Sequence, residues 1–117
     1  MQIVLERIFQ LIDGILPGKA SYGTNIVEQS NLNVYPFIVY QEISDRAITY
    51  ADNYATVRLV TYQITLVTEN KDILLEERLE EALYLSGYSY QMITEYLNDD
   101  NSINRVYEIK MEEIKNE

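Results

Sequence analysis

Glu76, Glu77, Glu80 and Glu81 crowd one short stretch of the chain, a spacing that sets carboxylates side by side on a helix. Paired carboxylates can hold a hard divalent cation or divide the roles of acid and base between them. The second role needs an apolar pocket to shift one pKa, and the sequence supplies none around these four. A solvated acidic helix face is the expectation. The acidic run Asn98-Asp99-Asp100-Asn101-Ser102 invites comparison with a calcium loop. Counted from Asn98, Ser102 takes position 5 but Ile109 takes position 12, where a bidentate Glu is required, and no Gly stands at position 6. A hairpin turn is expected instead. The chain has no His and no Cys, which removes the usual neutral-pH base, the nucleophile systems built on it, and thiolate metal sites. Gly14, Gly18, Gly23 and Gly87 are too scattered to cradle a phosphate. No catalytic residue, cofactor or metal is expected, and the chain is not expected to be an enzyme.

Arg46, Arg58 and Arg105 are the more informative charges. Each lies in or beside a strand-like segment of a chain short of cations. Two roles are open to them: a cross-strand pair with Asp or Glu inside the sheet, or a contact from one subunit to the acidic helix of a neighbour. Exposed pairs contribute under about 1 kcal/mol, so the first is the ordinary expectation.

These side chains must be carried by a chain of 117 residues, 13.7 kDa, with 9 Lys+Arg against 19 Asp+Glu and a net charge of −10. One domain spanning 1–117 fits that length. So acidic a chain is repelled by phosphate backbones and anionic membranes; solubility is the plain consequence, and a negative wall beside passing DNA, or a DNA mimic, the sharper one. No apolar run approaches the roughly 20 residues that cross a bilayer. The opening Met-Gln-Ile-Val-Leu-Glu-Arg lacks a basic n-region and a cleavage site, so no signal peptide is expected. Eleven Tyr with two Phe and no Trp suit surfaces with an apolar body and a polar tip, subunit interfaces among them.

The central element is Tyr54–Glu69, in which Val60, Tyr62, Ile64 and Leu66 alternate with Leu59, Thr61, Gln63 and Thr65. Period-2 alternation of β-branched and aromatic residues predicts a long central strand over a core. Before it, residues 2–13 have a 3.6-residue apolar period through Ile8, Leu11 and Ile12 and predict an amphipathic helix, ended by Gly14 and Pro17-Gly18. Residues 17–34 look like a loop. Residues 35–43 predict a strand with Pro36 at its start, Ser44-Asp45-Arg46 a polar turn, 47–50 a short strand, and Asp52-Asn53 another turn, together an antiparallel meander. Beyond the central strand, Asn70 or Asp72 caps a second helix. Leu75, Leu79, Ala82 and Leu83 form its buried stripe, with Glu76, Glu77, Glu80 and Glu81 facing away, and Gly87 closes it at C′. Residues 88–96 and 105–113 predict a final hairpin. The class is α+β: a mixed, mostly antiparallel sheet with two helices on one face, in the order α-β-β-β-α-β-β.

In this arrangement the sequence resembles the small tail-completion, or tail-terminator, proteins of long-tailed bacteriophages (siphophages), a group that shades into head–tail joining proteins. The resemblance is carried by the N-terminal amphipathic helix, Tyr35-Pro36-Phe37-Ile38-Val39-Tyr40-Gln41, Tyr50-Ala51-Asp52-Asn53 leading into Val57-Arg58-Leu59-Val60-Thr61-Tyr62-Gln63-Ile64, the helix to Gly87-Tyr88, and Arg105-Val106-Tyr107-Glu108-Ile109. It spans nearly the whole chain, as hydrophobic pattern and short words. It implies a structural virion protein assembled in the host bacterial cytoplasm. Its subunits form a ring, typically a hexamer, at the head-proximal end of the tail. The ring caps the major tail tube protein, stops its polymerisation and faces the head–tail connector proteins, while DNA slides through an acidic lumen without specific binding. No catalytic residue is implied. Position suggests Arg46, Tyr50, Tyr54, Arg58, Arg105 and the 17–34 loop for the contacts between subunits or with partners. A head-side completion (head–tail connector) protein, an acidic monomeric inhibitor or DNA mimic, and a small carboxylate enzyme are the alternatives.

Overall fold

The computed structural model describes residues 2–23, 35–51 and 54–114, with side chains over 5–23, 35–47 and 57–112. In chain order the elements are α1 (Gln2–Ile15), β1 (Ala20–Tyr22), β2 (Phe37–Ala51), β3 (Tyr54–Thr68), α2 (Ile73–Leu85), β4 (Ser89–Leu97) and β5 (Ile103–Ile114). The fold is α+β in the expected order α-β-β-β-α-β-β. Its sheet runs β1-β2-β3-β5-β4, antiparallel throughout except for the parallel β1–β2 pair.

Alternation along β3 decides which face is covered. Val60, Tyr62, Ile64 and Leu66 are all at most 1% exposed. They meet Ile38 and Tyr40 of β2, Tyr107 and Ile109 of β5, Ile8, Ile12 and Ile15 of α1, and Leu75, Leu79 and Leu83 of α2 in one cluster. Both helices therefore lie on one face. Each fully buried aliphatic side chain contributes roughly 1.5–3 kcal/mol, enough to hold α2 against the mutual repulsion of its glutamates, a few tenths of a kcal/mol per pair. The reverse face carries a smaller cluster of Phe37, Val39 and Val67.

The local signals at the ends of α2 act as expected. Asp72 is the N-cap, its side chain accepting the N–H of Leu75 at 3.1 Å. At the other end the N–H of Tyr88 reaches the carbonyl of Leu83 and that of Gly87 the carbonyl of Tyr84, each at 3.0 Å. With Gly87 at φ +84 this is a Schellman closure, which needs a residue free to adopt the left-handed region.

Four expectations need correction. Gly14 does not end α1, which runs on to Ile15; Gly18, at φ +76, makes the turn and its N–H is held by the Asp13 carboxylate at 2.9 Å. Residues 20–22 of the expected loop pair with Ile38–Tyr40 as β1, and residues 24–34 lie outside the described residues. Ser44-Asp45-Arg46 is not a turn: residues 37–51 form one strand with pairing shifts between Glu42 and Ser44 and again near Thr49. The three-strand meander is therefore a two-stranded antiparallel pair, because 35–43 and 47–50 are both parts of β2; the expected turn at Asp52-Asn53 lies outside the described residues.

β2 and β3, 15 residues each, extend about 50 Å at roughly 3.3 Å per residue, matching the longest molecular dimension of 52 Å. Among the described residues neither buried cluster takes a member from between Tyr40 and Val60. The far half of this hairpin is thus an arm reaching past the helical layer, flanked on the β3 side by β5 as far as Val57. The radius of gyration, 15.5 Å, exceeds the about 13–14 Å of a compact chain of this length.

Candidate interaction surfaces

The arm holds four of the five residues singled out from the sequence. Asp45 of β2 pairs with Val60 and Arg58 of β3 with Ala47, so Asp45 and Arg58 are diagonal neighbours on the helix-side face. Their side chains meet at 2.6 Å and are 20% and 25% exposed. Arg58 thus has the intra-sheet partner that cross-strand pairing offers. Arg46 pairs with Leu59 on the opposite face and is exposed. It has no ion pair among the described residues. Tyr50 and Tyr54 sit near the tip, opposite Ala55 and Ala51; their side chains lie outside the described residues. The outer edge of β2 is paired by β1 only over Ile38–Tyr40, so within the described sheet the arm's β2 edge is open.

Arg105 is placed elsewhere, under α2. Its β4 neighbour in register is Glu95, bound at 2.9 Å, and it also reaches Glu80 at 3.1 Å and Glu76 at 3.6 Å. Its Nε donates to the Tyr107 hydroxyl at 2.7 Å, which donates to Glu80 at 2.6 Å. Lys71 bridges Glu76 and Glu95, each at 2.9 Å. The ordinary role considered for Arg105, a cross-strand carboxylate, is thus filled by Glu95, and the acidic helix it meets is that of its own chain.

This overturns the expected orientation of two glutamates. Glu76 is 5% exposed and Glu80 half-buried; only Glu77 and Glu81 face solvent. Burial of a carboxylate is tolerable where cations and hydroxyls meet it, and Arg105, Lys71 and Tyr107 do so. Hydrogen bonds from Lys71 and then Arg105 hold Glu95 below the usual carboxylate range. Burial, then the bond to Glu80, pushes Tyr107 well above its ordinary value, so it remains a neutral donor. The arrangement ties α2 to β4 and β5.

The acidic turn is organised by Asp100. One of its oxygens accepts the Ser102 hydroxyl at 2.6 Å and the Ser102 N–H at 2.9 Å; the other accepts the Tyr35 hydroxyl. These donors, Ser102 first, hold the Asp100 pKa down at about 2. Tyr35 stacks on Phe37 with ring centroids 5.7 Å apart, so the turn is tied to the start of β2. Among the described residues no three acidic side chains converge as a metal site would require.

No protein-family model matches the chain, and no curated protein matches it. Among the described residues no helix is long and apolar enough to cross a membrane.

The cross-strand pair of Arg105 follows the sequence expectation, but the wider network around it does not show in the sequence, because its members come from α2, β4, β5 and the residue before the N-cap. A readable signal did exist: Glu76 and Glu80 flank Leu75, Leu79 and Leu83 on a helical wheel, at the border of the buried stripe.

Proposed function

We propose that this chain is a ring-forming structural subunit of a long-tailed bacteriophage. It would act at the head-proximal end of the tail tube, ending polymerisation and providing the surface to which the head joins. The mode of action is binding without turnover. The observation that carries the proposal is the β2–β3 arm: a long hairpin with an open β2 edge and the exposed Arg46, flanked by β5 along β3 as far as Val57 and two-stranded beyond it. Its two-stranded tip has little to stabilise it within its own chain, and the open β2 edge suits a contact outside it. A closed ring needs head-to-tail contacts between two different patches. In a chain of charge −10, a cation on the arm meeting the exposed acidic face of a neighbour's α2, at Glu77 and Glu81, would provide such a pair. The net charge also suits a lumen through which DNA moves without adhering.

The test is to polymerise purified tail tube protein with and without the chain and measure tube lengths by negative-stain microscopy. Capped tubes of bounded length, with a ring of density at one end, are expected. Tubes that elongate unchanged in saturating chain would refute the proposal, as would turnover of a small molecule that accounts for the protein's effect. Complementation of particles lacking the chain separates tail capping from head-side completion: unjoined tails of normal length would place it on the head side.

A further inference from the structure

A groove of about 330 Å³ opens between α1 and the β1–β2 edge of the sheet, lined by Leu5, Glu6, Phe9, Tyr22 and Tyr40. Glu6 and Phe9 lie three apart on α1, and Leu5 and Phe9 four apart, so all three share one helix face. Tyr22 and Tyr40 are direct partners in the parallel β1–β2 pairing. Their rings meet at 76° with centroids 5.3 Å apart, and Phe9 stands 6.5 Å from Tyr40 at 45°. Phe9 is 40% and Tyr22 49% exposed, while Tyr40, 8% exposed, belongs to the core and forms the floor of the groove. The Tyr22 hydroxyl accepts the N–H of Glu42 at 3.3 Å, which fixes that ring before any ligand arrives.

Charge distinguishes this groove from a bare apolar patch. Glu6 is exposed and has no ion pair among the described residues. Glu42, two residues beyond Tyr40 on β2, stands on the same face of the sheet. Inclined π faces and a nearby carboxylate attract a cation by quadrupole and by Coulomb terms together. The walls meet at angles rather than as parallel plates. A corner of that form admits a compact ammonium group, whereas a planar guanidinium prefers flat stacking and a bidentate acceptor.

We propose that this groove is a binding site for an alkylammonium group, presented as a lysine side chain by a partner protein, with Phe9 and Tyr22 as its π walls, Tyr40 as its floor and Glu6 as its counter-charge. The site lies at α1 and β1, away from the arm, and does not depend on the ring proposal. Loss of lysine binding with tube capping intact would sink this inference alone.

The test is an NMR titration of the full chain, following the aromatic resonances of Phe9, Tyr22 and Tyr40. The ligands are Nα-acetyl-lysine methylamide, its neutral Nε-acetylated counterpart, and Nα-acetyl-arginine methylamide. Saturable shifts with millimolar affinity are expected for the lysine compound, with the neutral counterpart at least about tenfold weaker. Tyr22→Leu keeps apolar area but removes a π face, and should weaken binding about threefold to tenfold. Glu6→Gln alters an exposed position, leaves the fold in place, and should weaken the lysine compound while leaving the neutral one unchanged. No saturable shift, equal binding of the neutral compound, or tighter binding of the arginine compound would each overturn the assignment.

Discussion

Glu76 is an acid buried to 5% exposure beside Arg105 and Lys71, and its environment sets the first expectation. Breaking a buried pair by removing one partner costs about 3–5 kcal/mol, because the remaining charge is left without compensation. Arg105 keeps 18% of its side chain exposed, and Lys71 remains, so Arg105→Met should cost less, about 2–3 kcal/mol in urea unfolding. Adding Glu76→Gln should recover part of that loss, because a buried carboxylate left with one cation instead of two is then gone. If the double variant were no more stable than Arg105→Met, desolvation would not be what the network relieves. Asp100 makes a second case, in the opposite sense of exposure. Its folded pKa, about 2, lies below the ordinary 3.8. Stability linked to it is therefore present above about pH 4 and is lost as pH falls toward 2. A carbon-13 titration of Asp100 should find the low midpoint, and Tyr35→Phe, which removes one donor, should raise it toward the ordinary value.

At the scale of elements, the parts that were legible in the sequence are those set by local chemistry. Val60 to Leu66 alternate because a strand with one covered face must, and Asp72 and Gly87 stop α2 because the first and last turns of a helix lack intrachain partners. Gly87→Ala tests the second point: with φ at +84, a Cβ there should cost roughly 1 kcal/mol, and it meets no atom within 4 Å. A cost of that size in the thermal midpoint, with the fold unchanged, would mark backbone conformation as the cause. What escaped the sequence depended on partners far along the chain. Ser44-Asp45-Arg46 has the composition of a turn, yet it continues β2, because β3 supplies ladder partners and Arg58 supplies a mate for Asp45. β1 has only three residues, too few for any period, and exists because it pairs with the edge of β2. Glu76 reads as solvent-facing in the sequence because one of its two cations, Arg105, comes from β5, and only the insertion of β5 next to β3 brings Arg105 beneath α2.

For the whole molecule, shape and charge would pull the proposed ring in opposite directions, and magnitudes decide which would govern it. Side by side, two such subunits have centres about 28 Å apart if their widths touch along the 28 Å dimension. Two bodies of charge −10 at that spacing repel by about 15 kcal/mol in water without salt. The Debye length is about 30 Å at 0.01 M salt and about 8 Å at 0.15 M, which reduces the repulsion to about 6 and about half a kcal/mol. A single exposed pair between Arg46 and a neighbouring carboxylate contributes under about 1 kcal/mol and weakens with salt too, but its change over that range is smaller than the roughly 5 kcal/mol fall in repulsion. Ring formation should therefore strengthen as salt rises from about 0.01 to 0.15 M, the reverse of an interface held mainly by ion pairs. Sedimentation at fixed protein concentration checks the direction. Arg46→Glu, which leaves monomer stability within about 0.5 kcal/mol as an exposed substitution should, then isolates the arm: it should shift the assembly midpoint to higher concentration at every salt. If the wild-type ring instead dissolved between those two salt concentrations, attraction between fixed charges would outweigh net repulsion, and the arm's role would have to be sought in more than one cation.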